Sequence, residues 1–153
     1  MRILVLAVGR LRSKPLREVC ADYLDRLSRY GPASVEELKP ADSGAPDQRV
    51  AQESARILAA LLPAERVCVL DERGAQCASL ELCEMLKAFE LHGAKRLVFV
   101  LGGAYGVNDA LRQRGKLLAL SKLTFPHELC RALLLEQLYL ARTIQHGQPY
   151  HHA

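Results

Sequence analysis

The sequence predicts an α/β layer fold, with a mostly parallel sheet and helices on both of its faces. Residues 2–8 (RILVLAV), 66–72 (RVCVLDE) and 95–101 (KRLVFVL) are near-continuous runs of Val, Leu, Ile and Phe. They lack the alternation of a half-exposed strand, which is the pattern of strands buried on both faces. Between them lie stretches with apolar residues at helical spacing, long enough to serve as crossovers. The chain has 153 residues, one domain's worth, and no internal repeat, so a single domain over 1–153 is expected.

Each element has its own warrant. The first strand ends at Gly9, and Ser13 is a good N-cap for a helix with Pro15 in its first turn and Leu16, Val19, Cys20, Tyr23, Leu24 and Leu27 on one side. Gly31-Pro32 stops it. SVEEL (34–38) alternates as a half-exposed strand does, and KPADSGAPDQ (39–48) is a polar loop, the segment expected to move most. Val50, Ser54, Ile57, Leu58 and Leu61 restore a helix that ends at Pro63, and Glu72-Arg73-Gly74 turns the strand that follows. Ser79 is expected to cap a helix to about His92, closed by Gly93. The next strand runs into Gly102-Gly103-Ala104-Tyr105-Gly106, after which Asn108 can cap a short helix to about Gly115.

The last stretch, from Leu118, organises the rest. A short apolar run, LLALSKLTF, gives way to Pro126, and a helix follows to about Gln145. It is apolar nearly all round: Leu129, Leu133, Leu140 and Ile144 make one stripe, and Leu134, Leu135 and Leu138 the opposite one. Such a helix must be buried on two fronts. The second front is expected to be another copy of the chain, the alternative being a central place in a larger core.

Composition narrows the function classes. Half the residues are apolar and a quarter charged, the proportions of a globular protein. No apolar run approaches bilayer-spanning length and the opening does not read as a signal peptide, so a cytoplasmic location without membrane contact is expected. Cys20, Cys68, Cys77, Cys83 and Cys130 are odd in number and lack metal-ligand spacing, and they read as small buried hydrophobes. The net charge of +4 is concentrated. Arg10, Arg12, Lys14 and Arg17 cluster after the first strand, and Arg112, Arg114, Lys116 and Lys122 before the last stretch; each is either a phosphate-backbone footprint or a solvated face.

Ligands of parallel α/β sheets settle beyond the carboxyl ends of the strands, which directs attention to residues 9–14, 71–74, 102–106 and 120–125. The glycines come late in the sheet. The first strand has only Gly9 where a dinucleotide fold needs GxGxxG, and no Walker sequence or GxSxG occurs. Nucleotide-driven and serine-hydrolase chemistries lose their support.

FVLGGAYG, then LSKLTFPHELCRALLLEQLY, then GQPYH near the end together resemble the RlmH (YbeA-like) group of SPOUT methyltransferases. ILVLAVGRL, VLDERG and the total length match as well. The resemblance implies a SPOUT-type α/β knot, a deep trefoil in the C-terminal part. It also implies a homodimer whose active site is completed across the interface, and methylation of ring nitrogen 3 of a pseudouridine in 23S ribosomal RNA, on the large subunit or whole ribosome. It places S-adenosylmethionine on Leu70, Gly102, Leu120, Ser121, Lys122, Leu123, Thr124 and Phe125, with apolar walls and close main chain but no carboxylate for the ribose. His151 is the candidate base or RNA contact and Tyr150 a candidate stacking platform; Glu136 reads as structural. One departure is local. The family's LYRA segment here reads Leu138-Tyr139-Leu140-Ala141, with Arg142 about 200° round the helix from the family's arginine. Arg131 or the basic N-terminal loop are the available substitutes. A SPOUT enzyme for another RNA such as tRNA, a non-catalytic ribosome-binding relative and a small-molecule enzyme remain open.

Overall fold

The computed structural model describes residues 1–151, so His152, in the expected tail, lies outside the described residues. The elements run β1 (Arg2–Val8), α1 (Lys14–Ser28), β2 (Ala33–Leu38), α2 (Pro46–Ala60), β3 (Arg66–Ala75), α3 (Ser79–Leu91), β4 (Arg96–Leu101), α4 (Asp109–Arg112), β5 (Lys116–Leu118) and α5 (His127–Gln145). The five strands form one sheet in the order β2-β1-β4-β3-β5, and every pairing is parallel. The β-branched runs of β1, β3 and β4 occupy its centre, where both faces are covered.

Alternate residues of these strands feed two cores. Ile3, Val5, Ala7, Cys68, Leu97 and Phe99 face α1, α3 and α5, whereas Leu4, Leu6, Val67, Val69, Val98 and Val100 face α2 and α4. Three helices therefore cover one face and two the other. Among the described residues no helix is long and apolar enough to cross a membrane.

α5 is covered on one of its two apolar stripes by its own chain. It packs on the sheet with α1 along one side and α3 along the other, so Leu134, Leu135 and Leu138 are fully buried and Leu140 is 8% exposed within a single chain. The physical reason is a five-strand sheet too wide for two helices, which leaves a central slot that demands an apolar helix on several sides. On the other stripe Leu129, Leu133 and Ile144 are only half-buried, so a single chain covers the Leu134, Leu135 and Leu138 side fully and leaves part of the second front open.

Smaller differences have local causes. Ala78, not Ser79, is the N-cap of α3, and the Glu81 side chain reaches back to the Ala78 amide at 2.7 Å. β3 does not stop at Glu72. Leu118 pairs with both Leu70 and Ala75, so residues 71–74 bulge out of a strand that continues to Ala75. Cys77 is exposed and Cys130 half-buried, contrary to the uniform burial expected of the cysteines. The loop from Lys39 is tied at its start, where the Arg56 guanidinium donates to the Lys39 and Pro40 carbonyls at 2.7 and 2.8 Å.

Candidate functional site

The register brings four strand ends level: Ala7 pairs with Leu101, Leu101 with Leu70, and Leu70 with Leu118. The loops that leave β3, β4 and β5 enclose a cavity of about 390 Å³, within the range of small-molecule sites. Leu70, Gly102 and the whole strip from Leu120 to Phe125 line it, so all eight positions read as cofactor-binding come together around one space.

The glycine turn forms the side nearest α2. The Gly106 amide donates to the Gly103 carbonyl at 3.0 Å, closing residues 103–106 on themselves. A Cβ at Gly102 would lie 2.7 Å from Val107 Cγ1 and 2.8 Å from the Gly106 carbonyl oxygen, and one at Gly103 would strike the Glu53 carboxylate. Only glycine lets the main chain pass this closely. Two side chains hold the turn from behind: Glu53, which the sequence reading did not single out, and Ser54, which it read only as a position on the buried side of a helix. Glu53, 7% exposed, accepts from the Ala41 amide at 3.0 Å, and the Ser54 hydroxyl accepts from the Asn108 amide at 3.0 Å. The available signal was a carboxylate three residues after Val50 and four before Ile57, on the apolar side of its own helix.

Asp71 and Glu72, on the bulge of β3, also line the cavity, which corrects the expectation of walls without a carboxylate. Asp71 is committed. Arg112 Nε donates to it at 2.7 Å and Arg112 Nη1 donates to Asp109 at 2.7 Å. The hydrogen bond to Asp71 comes first among the influences that push the Arg112 guanidinium above its ordinary range. Arg114 donates to the carbonyls of Leu62, Pro63 and Glu65. Half of the second basic cluster is thus consumed inside the chain, and Lys116 and Lys122 stay exposed.

The strip is held in shape locally, with the Leu123 amide donating to Ser121 Oγ at 3.0 Å. Leu123 is 72% exposed and Tyr105 54%, two large apolar side chains at the mouth. Burial pushes the Cys130 thiol, at the cavity wall, above its usual range.

The two candidate catalytic residues are elsewhere: neither Tyr150 nor His151 lines this cavity. After Gly147 the tail folds back over the join of α1 and α5, where the Tyr150 ring packs edge-on to Tyr139 with centroids 4.8 Å apart. The Tyr150 hydroxyl lies 3.5 Å from that of Tyr23 and donates to Glu136 at 3.4 Å. The Tyr23 bond, then burial and the negative Glu136, push its ionisation well above the ordinary phenol range. In one chain this ring is anchored rather than free to stack.

The arginine question is settled by burial. Leu140 is 8% exposed, and Arg142, 4% exposed, donates to Gln145 at 2.6 Å and pairs with Glu90 at 2.8 Å. Arg131, 3% exposed, pairs with Glu37 and donates to the Gly9 carbonyl at 2.8 Å. Neither guanidinium is presented to an external partner, which removes Arg131 as a direct substitute.

Comparison with known proteins assigns the architecture. A family profile described as "Predicted SPOUT methyltransferase" matches residues 1–151. A protein of Pelobacter propionicus named ribosomal RNA large subunit methyltransferase H is 40% identical over 152 residues, covering 99% of this chain and all of the relative. Proteins of the same name from Desulfovibrio desulfuricans and Gloeobacter violaceus are each 41% identical, covering 96% and 99% of this chain and 95% and 99% of their own lengths. Two solved structures share the fold at low identity. One, described as a hypothetical protein, has a TM-score of 0.55 at 13% identity over 94% of this chain and 88% of its own. The other, a probable methylase family protein from Haemophilus influenzae, has a TM-score of 0.52 at 11% identity over 99% and 70%. With the family's glycine turn and LSKLTF strip around one cavity, and relatives of about 40% identity along nearly the whole length, the chain belongs to the SPOUT methyltransferase family.

Proposed function

We propose that this protein methylates ring nitrogen 3 of a pseudouridine in 23S ribosomal RNA, using S-adenosylmethionine and acting in the cytoplasm on the large subunit or assembled ribosome. The observation that carries the reading is the convergence of Leu70, Gly102 and residues 120–125 on one cavity. The residues present fit the donor. The walls at Leu70, Leu120 and Phe125 suit an adenine, and the glycine turn brings main-chain groups close enough to meet its edge.

When bound, S-adenosylmethionine supplies an electrophilic methyl group on a sulfonium sulfur. What the protein adds is position and a path for one proton. The imide nitrogen is a nucleophile only after its proton leaves, and His151 is the residue assigned to accept it, directly or through a water. Holding two reactants in line contributes up to about 7–11 kcal/mol of barrier lowering.

The same reading takes the active form to be a homodimer in which the tail of each copy serves the cavity of the other. In its support, Tyr150 and His151 lie away from their own cavity, and Tyr105 and Leu123 leave apolar surface at its mouth. The trefoil threading belongs to the reading too. β5 lies at one edge of the sheet beyond β3, and the chain then returns across β3 and β4 to reach α1.

Mass spectrometry of large-subunit RNA from cells with and without this protein tests the proposal. Loss of one methylated pseudouridine in its absence is the expected result, and an unchanged modification set overturns it. Methyl incorporation into purified ribosomes against bulk tRNA separates the tRNA reading. Leu140 at the family's arginine position favours a second reading, a ribosome binder without catalysis, and calorimetry that detects no S-adenosylmethionine binding would support it.

A further inference from the structure

We infer that the loop Arg10–Lys14 is a preformed seat for the phosphate backbone of the RNA substrate, an inference that rests on the proposed methylation of ribosomal RNA. Both basic clusters of the sequence had an ordinary explanation as solvated surface, and the structure separates them. In the second, Arg112 and Arg114 are spent on Asp71, Asp109 and main-chain carbonyls. In the first, the side chains of Arg10, Arg12 and Lys14 are exposed and, among the described residues, none pairs with a carboxylate.

Their backbone, in contrast, is fixed from three directions. The Glu128 carboxylate accepts from the amides of Arg12 and Ser13, the latter at 3.4 Å. Arg17 Nη1 donates to the carbonyls of Leu11 and Arg12, each at 3.0 Å. Arg131 donates to the Gly9 carbonyl at 2.8 Å from within the core. The buried Arg131, the exposed Arg17 and one carboxylate hold a surface loop whose Arg10, Arg12 and Lys14 pair with no carboxylate among the described residues. The loop also opens α1, whose first turn contains no acidic residue, so Lys14 adds positive charge to the positive end of the helix dipole. The Glu128 carboxylate on the Arg12 and Ser13 amides offsets part of that charge, and the exposed side-chain cations are what remains for an external anion.

The location suits the partner. β1 and β4 are neighbours with Ala7 opposite Leu101, so this loop and the glycine turn leave adjacent strands at the same edge. Glu128, which grips the loop, directly follows His127, a lining residue of the cavity. A polyanion lying on the loop therefore passes beside the cavity mouth. Phosphate contacts of this kind set register and leave base choice to the pocket.

The test compares two triple variants that lose equal charge. In one, Arg10→Gln, Arg12→Gln and Lys14→Gln are combined; in the other, Arg2→Gln, Arg66→Gln and Lys95→Gln remove exposed cations at the opposite edge of the sheet. Binding to large-subunit ribosomal RNA is measured over a range of salt, together with methyl transfer and S-adenosylmethionine affinity. The loop variant is expected to bind RNA at least about tenfold more weakly, with a salt slope shallower by about 2–3. Its S-adenosylmethionine affinity is expected to stay within twofold of the wild type, and the opposite-edge variant to match the wild type throughout. Equal losses in both variants, or no loss in the loop variant, overturn the inference even if methylation of ribosomal RNA is confirmed. If the wild type binds this RNA through the loop but methylates none of it, the inference stands and the proposed activity falls.

Discussion

His151 and Glu53 show two different ways in which a single residue enters this site. His151 carries the proposed proton transfer and sits on a tail outside its own cavity, so its removal should touch the rate and spare the donor. His151→Ala is expected to lower kcat by about 10²–10⁴-fold with S-adenosylmethionine affinity changed less than twofold by calorimetry. A kcat within a few-fold of wild type removes it from the mechanism. Glu53 acts through the chain instead. Its carboxylate satisfies the buried Ala41 amide and abuts Gly103, so Glu53→Ala leaves a donor unpaired and the turn unsupported, at a cost of about 1–3 kcal/mol. The expected reading is S-adenosylmethionine affinity weaker by about tenfold, with kcat at saturating donor near wild type. The residues of the strip from Leu120 to Phe125 were legible because they form a contiguous motif. Glu53 was not, since its role depends on a 12-residue separation that only folding closes.

At the scale of elements, α5 was legible in its limits and its apolarity but not in its neighbours. The helix expected from about Pro126 to about Gln145 is observed as His127–Gln145, with Pro126 as its N-cap. Periodicity gave two apolar stripes; it could not tell that the Leu134, Leu135 and Leu138 side would be sealed by helices of the same chain while Leu129, Leu133 and Ile144 stay half-buried. The sealing follows from sheet width, which emerges only when β2 and β5 are placed at the edges. The consequence is testable. Because Leu134 and Leu138 are sealed inside one chain, Leu138→Ala should destabilise by about 2–5 kcal/mol, and by the same amount at low and high protein concentration within the folded range of one oligomeric state. A loss that vanishes as the protein is concentrated would place Leu138 at an interface between copies. The bulge of β3 was equally hidden. DERG reads as a turn, and only the pairing of Leu118 with both Leu70 and Ala75 shows the strand resuming and Asp71 and Glu72 carried to the cavity wall.

For the molecule as a whole, Glu90 joins the chain's beginning to its end. It lies near the C-terminus of α3, where Arg142 of α5 pairs with it at 2.8 Å, Gln145 donates to it at 2.8 Å, and the amino group of Met1 stands 3.8 Å away. Burial pushes this carboxyl up, but the hydrogen bonds from Arg142 and Gln145 and the charges of Arg142 and the amino terminus together outweigh it and hold Glu90 below its ordinary value. A carboxylate depressed in the folded state stabilises the protein fully above its unfolded value, near 4.5, and that contribution is lost as the pH falls through the lower folded value. Denaturant midpoints measured at fixed protein concentration from pH 6 down to pH 3 should therefore fall more steeply for the wild type than for Glu90→Gln. The variant starts less stable at pH 6, because Arg142 keeps a hydrogen-bond acceptor but loses its counter-charge in a buried setting. Parallel curves would mean that Glu90 is solvated on both sides of the transition and that the two ends of the chain are held together by apolar packing alone.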